Sequence, residues 1–213
     1  MKYDNIIICV GRQLGAGGHD IGQMLAEFFH AKYYDRELLN LAAKESGFSE
    51  KFFEQNDERK GFLKGLFNVQ TAHLSGGSIY ESNFSQESLF RFQSEAIRKA
   101  AEAGPCVFVG RCADYVLRDY PSMTSVFITA PFDYRMQQVM RKQGLGEPAA
   151  RKFIEQGESK RAEYYNYYTG RKWGHAASYD LCIDSTLLGP EATARLIEQF
   201  VKLKRDEEDR NPQ

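Results

Sequence analysis

Residues 6–20 read IIICVGRQLGAGGHD, and this stretch decides the fold. Residues 6–10 are an unbroken apolar run rich in β-branched side chains, which suits a strand buried on both faces of a parallel sheet. Gly11, Gly15, Gly17 and Gly18 follow at once. Ile21, Met24, Leu25, Phe28 and Phe29 then recur at helical spacing. Strand, glycine-rich turn and helix in that order make a phosphate loop. Glycines let successive backbone N–H groups turn inward as an anion nest, and the helix adds the positive end of its dipole. Asp20 in the first helical turn is favourably placed against that dipole.

The loop departs from the usual pattern. In G-x-x-x-x-G-K-[ST], the lysine reaches the β and γ phosphates and the hydroxyl reaches Mg²⁺. With Gly17 as the second glycine, Gly18 replaces the lysine and His19 replaces the hydroxyl residue. Both chemical jobs are then vacant, and Arg12 is the candidate for the missing cation. A plain tight turn over 15–18 is the bland alternative, and the correct flanking strand and helix weigh against it. The dinucleotide fingerprint needs a third glycine where Asp20 stands.

Outward from the loop, residues 32–34, 106–109, 125–129 and 181–184 read as further strands. Residues 36–44, 86–103, 132–143, 147–168 and 190–204 read as helices, and 205–213 as a frayed end. The expectation is one α/β domain over 1–213, a P-loop nucleotide-kinase-like five-stranded parallel sheet flanked by helices. Two segments break its rhythm: a polar one at about 45–92, and one at about 144–175 that is charged with an aromatic end. Insertions of this size in α/β domains serve as lids or substrate flaps. The first is therefore read as an acceptor-binding insert and the second as a lid.

Net charge is −1, so no global field draws nucleic acid or an anionic membrane. The first apolar run is too short for a leader or a membrane span, and a cytoplasmic protein is expected. Cys9, Cys106, Cys112 and Cys182 form no C-x-x-C pair, and three of them lie inside strand-like apolar runs, where a reduced thiol is a small buried hydrophobe. His19, His30, His73 and His175 are dispersed, so no protein-held metal cluster is expected.

The arginines carry the site reading, because a planar guanidinium grips phosphate oxygens in pairs. Arg12, Arg111, Arg135, Arg141, Arg161 and Arg171 lie at strand ends or in the lid segment. Arg12 and Arg111 stand out, since each follows a glycine at the C-terminal end of an apolar strand, where open α/β sheets bind ligands. Asp35 also ends a strand, and it suits both a helix cap and an acceptor contact. Asp133 reads as a helix-start residue, and Asp184 as a turn cap or a contact to a donor-base loop. Tyr164, Tyr165, Tyr167 and Tyr168 precede Arg171 and Trp173, a pattern that can stack bases. Glu155, Glu158 and Glu163 argue against an RNA strip there, and a lid closing on a nucleotide accounts for the same residues.

The strings GRQLGAGGHDIGQMLAEFF, KYYDRELL, VFVGRCADYVL, KRAEYYNYYTGRKWG and YDLCIDSTLLG occur in this order. Together they resemble the cytidylate-kinase-like proteins of the nucleoside monophosphate kinase group, from Ile6 to about Val201. The resemblance implies transfer of the γ-phosphoryl of ATP to a nucleoside monophosphate with Mg²⁺. It implies an ATP side at Gly15, Ala16, Gly17, Gly18, His19 and Asp20, with Arg141 near it. It implies an acceptor side at Asp35, Arg111 and Asp114, with Arg135 flanking the lid and Arg161 on it, which with Arg12 would hold the transferring group. GRCAD stands where GRD is expected, which moves the acidic residue to Asp114, and the 45–92 segment is unlike the family's insert. Two other readings stay open: a nucleotide-binding module without turnover, and a kinase of a non-nucleotide small molecule. Partners are expected to be small nucleotides, with a homodimer through the aromatic insert as a further option.

Overall fold

The first strand, β1 (Ile7–Arg12), is central in a five-stranded all-parallel sheet. The computed structural model describes residues 5–35 and 79–210, with residues 79–86 described by backbone alone. The remaining elements in chain order are α1 (Gly18–Phe28), β2 (Lys32–Tyr34), α2 (Ile79–Glu102), β3 (Cys106–Val109) and α3 (Ala113–Val116). β4 (Met123–Thr129), α4 (Phe132–Gln143), α5 (Glu147–Thr169), a 3₁₀ turn (Ala176–Ser178), β5 (Leu181–Asp184) and α6 (Gly189–Arg210) complete the order. Strand order is β2-β3-β1-β4-β5. The sheet expected from five apolar runs is therefore present, and no described helix is long and apolar enough to cross a membrane.

The period of two along β1 sorts its side chains. Ile6, Ile8 and Val10 join Val107, Val109, Val126 and Ile128 in one cluster with Ile21 and Leu25 of α1 and Ala194, Ile197 and Val201 of α6. Burying side chains of this size contributes roughly 1.5–3 kcal/mol each, so the sheet face under α1 and α6 is the main support of the fold. Register pairs Val10 with Val109 and Val126, and Arg12 with Ile128. Arg12 is thus the last residue on that same face, directly beneath the start of α1.

Several boundaries differ from the sequence reading. β1 runs two residues past Val10, which makes Arg12 a strand residue. β4 starts at Met123. α2 starts at Ile79 because no glycine or proline interrupts the chain between Gly77 and Gly104, and a serine-rich composition hid its period. α6 continues to Arg210 where fraying was expected. Arg205 meets Glu208 and Asp209 there at 3.5 and 3.7 Å, and such i,i+3 and i,i+4 pairs each add about 0.2–0.5 kcal/mol to a helix. Cys182, expected to be buried, is exposed on the edge strand β5, while Cys9, Cys106 and Cys112 are buried and all four are reduced. The helix expected at 36–44 lies outside the described residues.

The chain divides into two compact units, Met1–Arg36 with Ala100–Gln213, and Glu37–Lys99. The second contains the whole segment read as an insert. The first contains the sheet, the loop and the helix read as a lid. That helix, α5, is continuous over 23 residues and is anchored on α4 by Val139, Ala150 and Ile154, with Leu14, Phe132 and Met136 against them.

Candidate functional site

The phosphate loop is built as its glycines require. Gly15 and Gly17 take left-handed φ values of 87° and 77°, and Gly17 caps α1 with its backbone alone. Three neighbours hold the loop in place. Gln13 N–H donates to the Ile128 carbonyl at 2.9 Å, and the Gln13 side chain accepts from Ala130 N–H at 3.2 Å. Ser185 Oγ donates to the Ala16 carbonyl at 2.8 Å. Glu158 Oε1 accepts from Leu14 N–H at 3.1 Å and from Arg135 Nη1 at 2.7 Å.

Arg135 therefore does other work than the sequence suggested. Its side chain is 6% exposed, its Nε donates to the Ala130 carbonyl at 2.9 Å, and Nη1 reaches Glu158 and the Leu14 carbonyl. It braces the loop from below instead of presenting those nitrogens to a reacting group. Arg141, expected on the ATP side, is exposed and bonds Gln138 of its own helix at 2.6 Å. Its neighbour Lys142 is the residue that reaches the loop helix, 3.0 Å from Asp20. Sequence reasoning passed over it because only the orientation of α4 separates the two.

Arg12 fills the space that the missing lysine leaves. A Cβ at position 18 would stand 2.5 Å from Arg12 Cβ and 2.9 Å from its Cγ. A Cβ at Gly110, whose φ is 81°, would overlap Arg12 Nη1. The Arg12 side chain thus crosses beneath Gly18 and lays its guanidinium over the backbone of Gly110. Glycine at 12 with lysine at 18 is the Walker arrangement, and here both positions are exchanged together.

Two more guanidiniums converge on it. Arg161, on the α5 face that also carries Ile154, Glu158, Tyr165 and Thr169, donates from Nη1 to the Arg12 carbonyl at 3.2 Å. Arg111 follows Gly110, and its ring contact with Tyr164 spans 5.8 Å. Burial, then Arg161, then Arg111, pull Arg12 down to about 9, while Tyr33 and Asp35 act in the opposite sense. Arg12 still carries its charge at neutral pH. The electrostatic character is that of partly buried like charges with Asp35 acting against them.

Gly110, Arg111 and Cys112 all have left-handed φ, at 81°, 62° and 56°. For the two non-glycine residues this costs on the order of 1–3 kcal/mol each, and such strain gathers where a side chain must be aimed. Asp114 sits just below, 8% exposed, with Oδ2 accepting from Tyr165 O–H at 2.7 Å. Burial raises its carboxyl, while the Tyr165 hydrogen bond opposes that rise. Asp114, read from the sequence as a substrate-side residue, is buried beneath the strained turn and supports it. Tyr165, which the sequence reading grouped with the stacking aromatics of the lid, links this turn to α5. It lies four residues after Arg161 and eleven after Ile154, a spacing that marks one helix face.

Asp35 is placed at the end of β2, with Oδ2 3.4 Å from His19 Nε2. Asp184 accepts from Thr186 N–H and O–H at 2.8 and 2.6 Å, which is the turn-capping role. Arg171 lies over Tyr115, 5.8 Å from its ring centre.

Comparison with known proteins agrees with this architecture. A model of the cytidylate kinase-like family matches residues 7–187. The chain is 24% identical over 203 residues to a cytidylate kinase of Pyrococcus horikoshii, covering 94% of this chain and 91% of that one. It superposes on a protein of Eubacterium ventriosum with a TM-score of 0.70 at 28% identity, covering 92% of this chain and 98% of the other. A shikimate kinase of Bacteroides thetaiotaomicron shares the fold, with a TM-score of 0.52 at 14% identity, covering 92% and 98%.

Proposed function

Because the chain belongs to the cytidylate kinase-like family, we propose that it transfers the γ-phosphoryl group of ATP to a nucleoside monophosphate, with Arg12 replacing the missing loop lysine. One observation carries this reading. Arg12 passes through the space vacated at Gly18, where the charges of Arg111 and Arg161 act on it, a cationic cluster suited to phosphate oxygens.

The loop N–H groups between Gly15 and Gly18 hold the donor phosphates, with the N-terminus of α1 behind them. Arg12 stands between the loop and the end of β3. Arg111 and Asp35, at the ends of β3 and β2, face the acceptor. Arg161 brings the charge of α5 to the same point through its bond to the Arg12 carbonyl. An oxygen of the acceptor phosphate attacks the γ-phosphorus, the bond to the β–γ bridging oxygen breaks, and ADP leaves. Such a reaction needs positioning and charge neutralisation more than covalent help from the protein. A divalent cation would neutralise phosphate charge. The family implies Mg²⁺, but the position that offers a hydroxyl oxygen in ordinary P-loops holds the His19 imidazole.

A coupled ADP-release assay with metal–ATP tests the reading, using CMP, other monophosphates and small alcohols as acceptors. Acceptor-dependent release highest with a monophosphate supports it. Release only with an alcohol identifies a small-molecule kinase. Tight ATP binding with no release above background identifies a binding module, a reading the absent lysine favours.

A further inference from the structure

His19 is the second residue of α1, and its imidazole leans toward β2. Its ring meets Tyr33 edge-on, 5.5 Å between centroids at 67°, and Nε2 lies 3.4 Å from Asp35 Oδ2. That spacing exceeds the usual 2.7–3.2 Å of an N–H···O bond. It matches the separation of two ligands sharing one cation, which is about 3.0–3.4 Å for bonds near 2.1 Å. On the other side of the ring, Nδ1 lies 4.0 Å from Asp20 Oδ1, and Lys142 holds Asp20 at 3.0 Å.

The donor set does not suit Mg²⁺. That ion takes oxygen ligands and sheds water reluctantly, whereas imidazole favours later first-row divalent ions. We infer that His19 and Asp35, with phosphate oxygens of the bound nucleotide, form a mixed nitrogen–oxygen site for a divalent cation such as Mn²⁺, Co²⁺ or Zn²⁺. Among the described residues no three His, Cys, Asp or Glu stand close enough to hold a metal by themselves. In the inferred site the nucleotide completes the coordination, so metal and nucleotide bind together. This inference rests on the nucleotide reading above, and its test separates the two.

The test uses Mn²⁺ and the non-hydrolysable β,γ-imido analogue of ATP, read by pulsed electron paramagnetic resonance. Wild type is expected to show ¹⁴N coupling to Mn²⁺ only when the analogue is present, and His19→Ala to lose it. Mg²⁺ is expected to displace Mn²⁺ from wild type at least tenfold less readily than from His19→Ser, which restores the hydroxyl. His19 is half exposed, so both variants should fold. Analogue and Mn²⁺ bound without nitrogen coupling overturns the metal site and leaves the nucleotide reading standing. An unchanged Mn²⁺/Mg²⁺ ratio in His19→Ser does the same. Failure of the analogue to bind with either metal overturns both.

Discussion

A single added methyl group at Gly18 is expected to cost the protein its grip on ATP while leaving adenosine untouched. The new Cβ would stand 2.5 and 2.9 Å from Arg12 Cβ and Cγ, with Ile128 Cβ at an ordinary 3.6 Å. Both Arg12 atoms are near its backbone, so the whole side chain must swing and carry the guanidinium off Gly110. Overpacking costs about 1–3 kcal/mol. Replacing a helical glycine by alanine returns up to about 1 kcal/mol. The fold should therefore lose no more than about 3 kcal/mol and survive. Losing a hydrogen bond to a charged phosphate costs about 1.5–3 kcal/mol, which is roughly 10- to 150-fold in affinity. Calorimetric titration with ATP, AMP and adenosine, with thermal melting as the folding control, reads the effect. Gly18→Lys should behave as badly despite restoring the Walker residue. The double variant Arg12→Gly with Gly18→Lys empties the space and should bind ATP better than either single change, a positive coupling in a double-mutant cycle. Wild-type ATP affinity in a folded Gly18→Ala protein, or strictly additive losses in the double variant, would refute the reasoning.

Other expectations use the same geometry. Arg12 is pulled from its ordinary value down to about 9 in the folded protein, so above about 9 the unfolded chain binds more protons and unliganded stability rises with pH. ATP affinity should fall as pH passes about 9 in wild type, and Arg12→Met should lack that fall in titrations at pH 8 and 10. Arg135→Met strands Glu158, which is 20% exposed. The loss should lie toward the low end of the 3–5 kcal/mol typical of broken buried pairs, measured by urea unfolding, with weaker ATP binding as the loop loosens. Tyr165→Phe removes the hydroxyl from buried Asp114 and should cost about 1–3 kcal/mol in the same assay.

The strands were legible because each is a short apolar run ended by glycine or a polar residue, and a parallel core leaves few other arrangements. The helix over 205–210 was not, because a run of charges looks the same whether solvated or paired at i,i+4. Arg12 and Arg111 could be picked from their place after strand-ending glycines. Arg135 could not be told from them, since the helix face it occupies is set by packing of α4 on α5. The pairing of Arg12 with Gly18 and Gly110 was hidden for the same reason. A glycine in sequence shows freedom of φ, but not which distant side chain needs the room. Tyr165 was recoverable from its spacing to Ile154 and Arg161, once α5 is seen to present one face inward.

The central claim is that Arg12 supplies the cation an ordinary loop takes from lysine. Calorimetric titration of wild type and Arg12→Ala with ATP, AMP and adenosine tests it most directly. The structure predicts that Arg12→Ala weakens ATP by roughly tenfold or more, AMP far less, and adenosine not at all. Equal loss across all three ligands, or none for ATP in a folded variant, would contradict it.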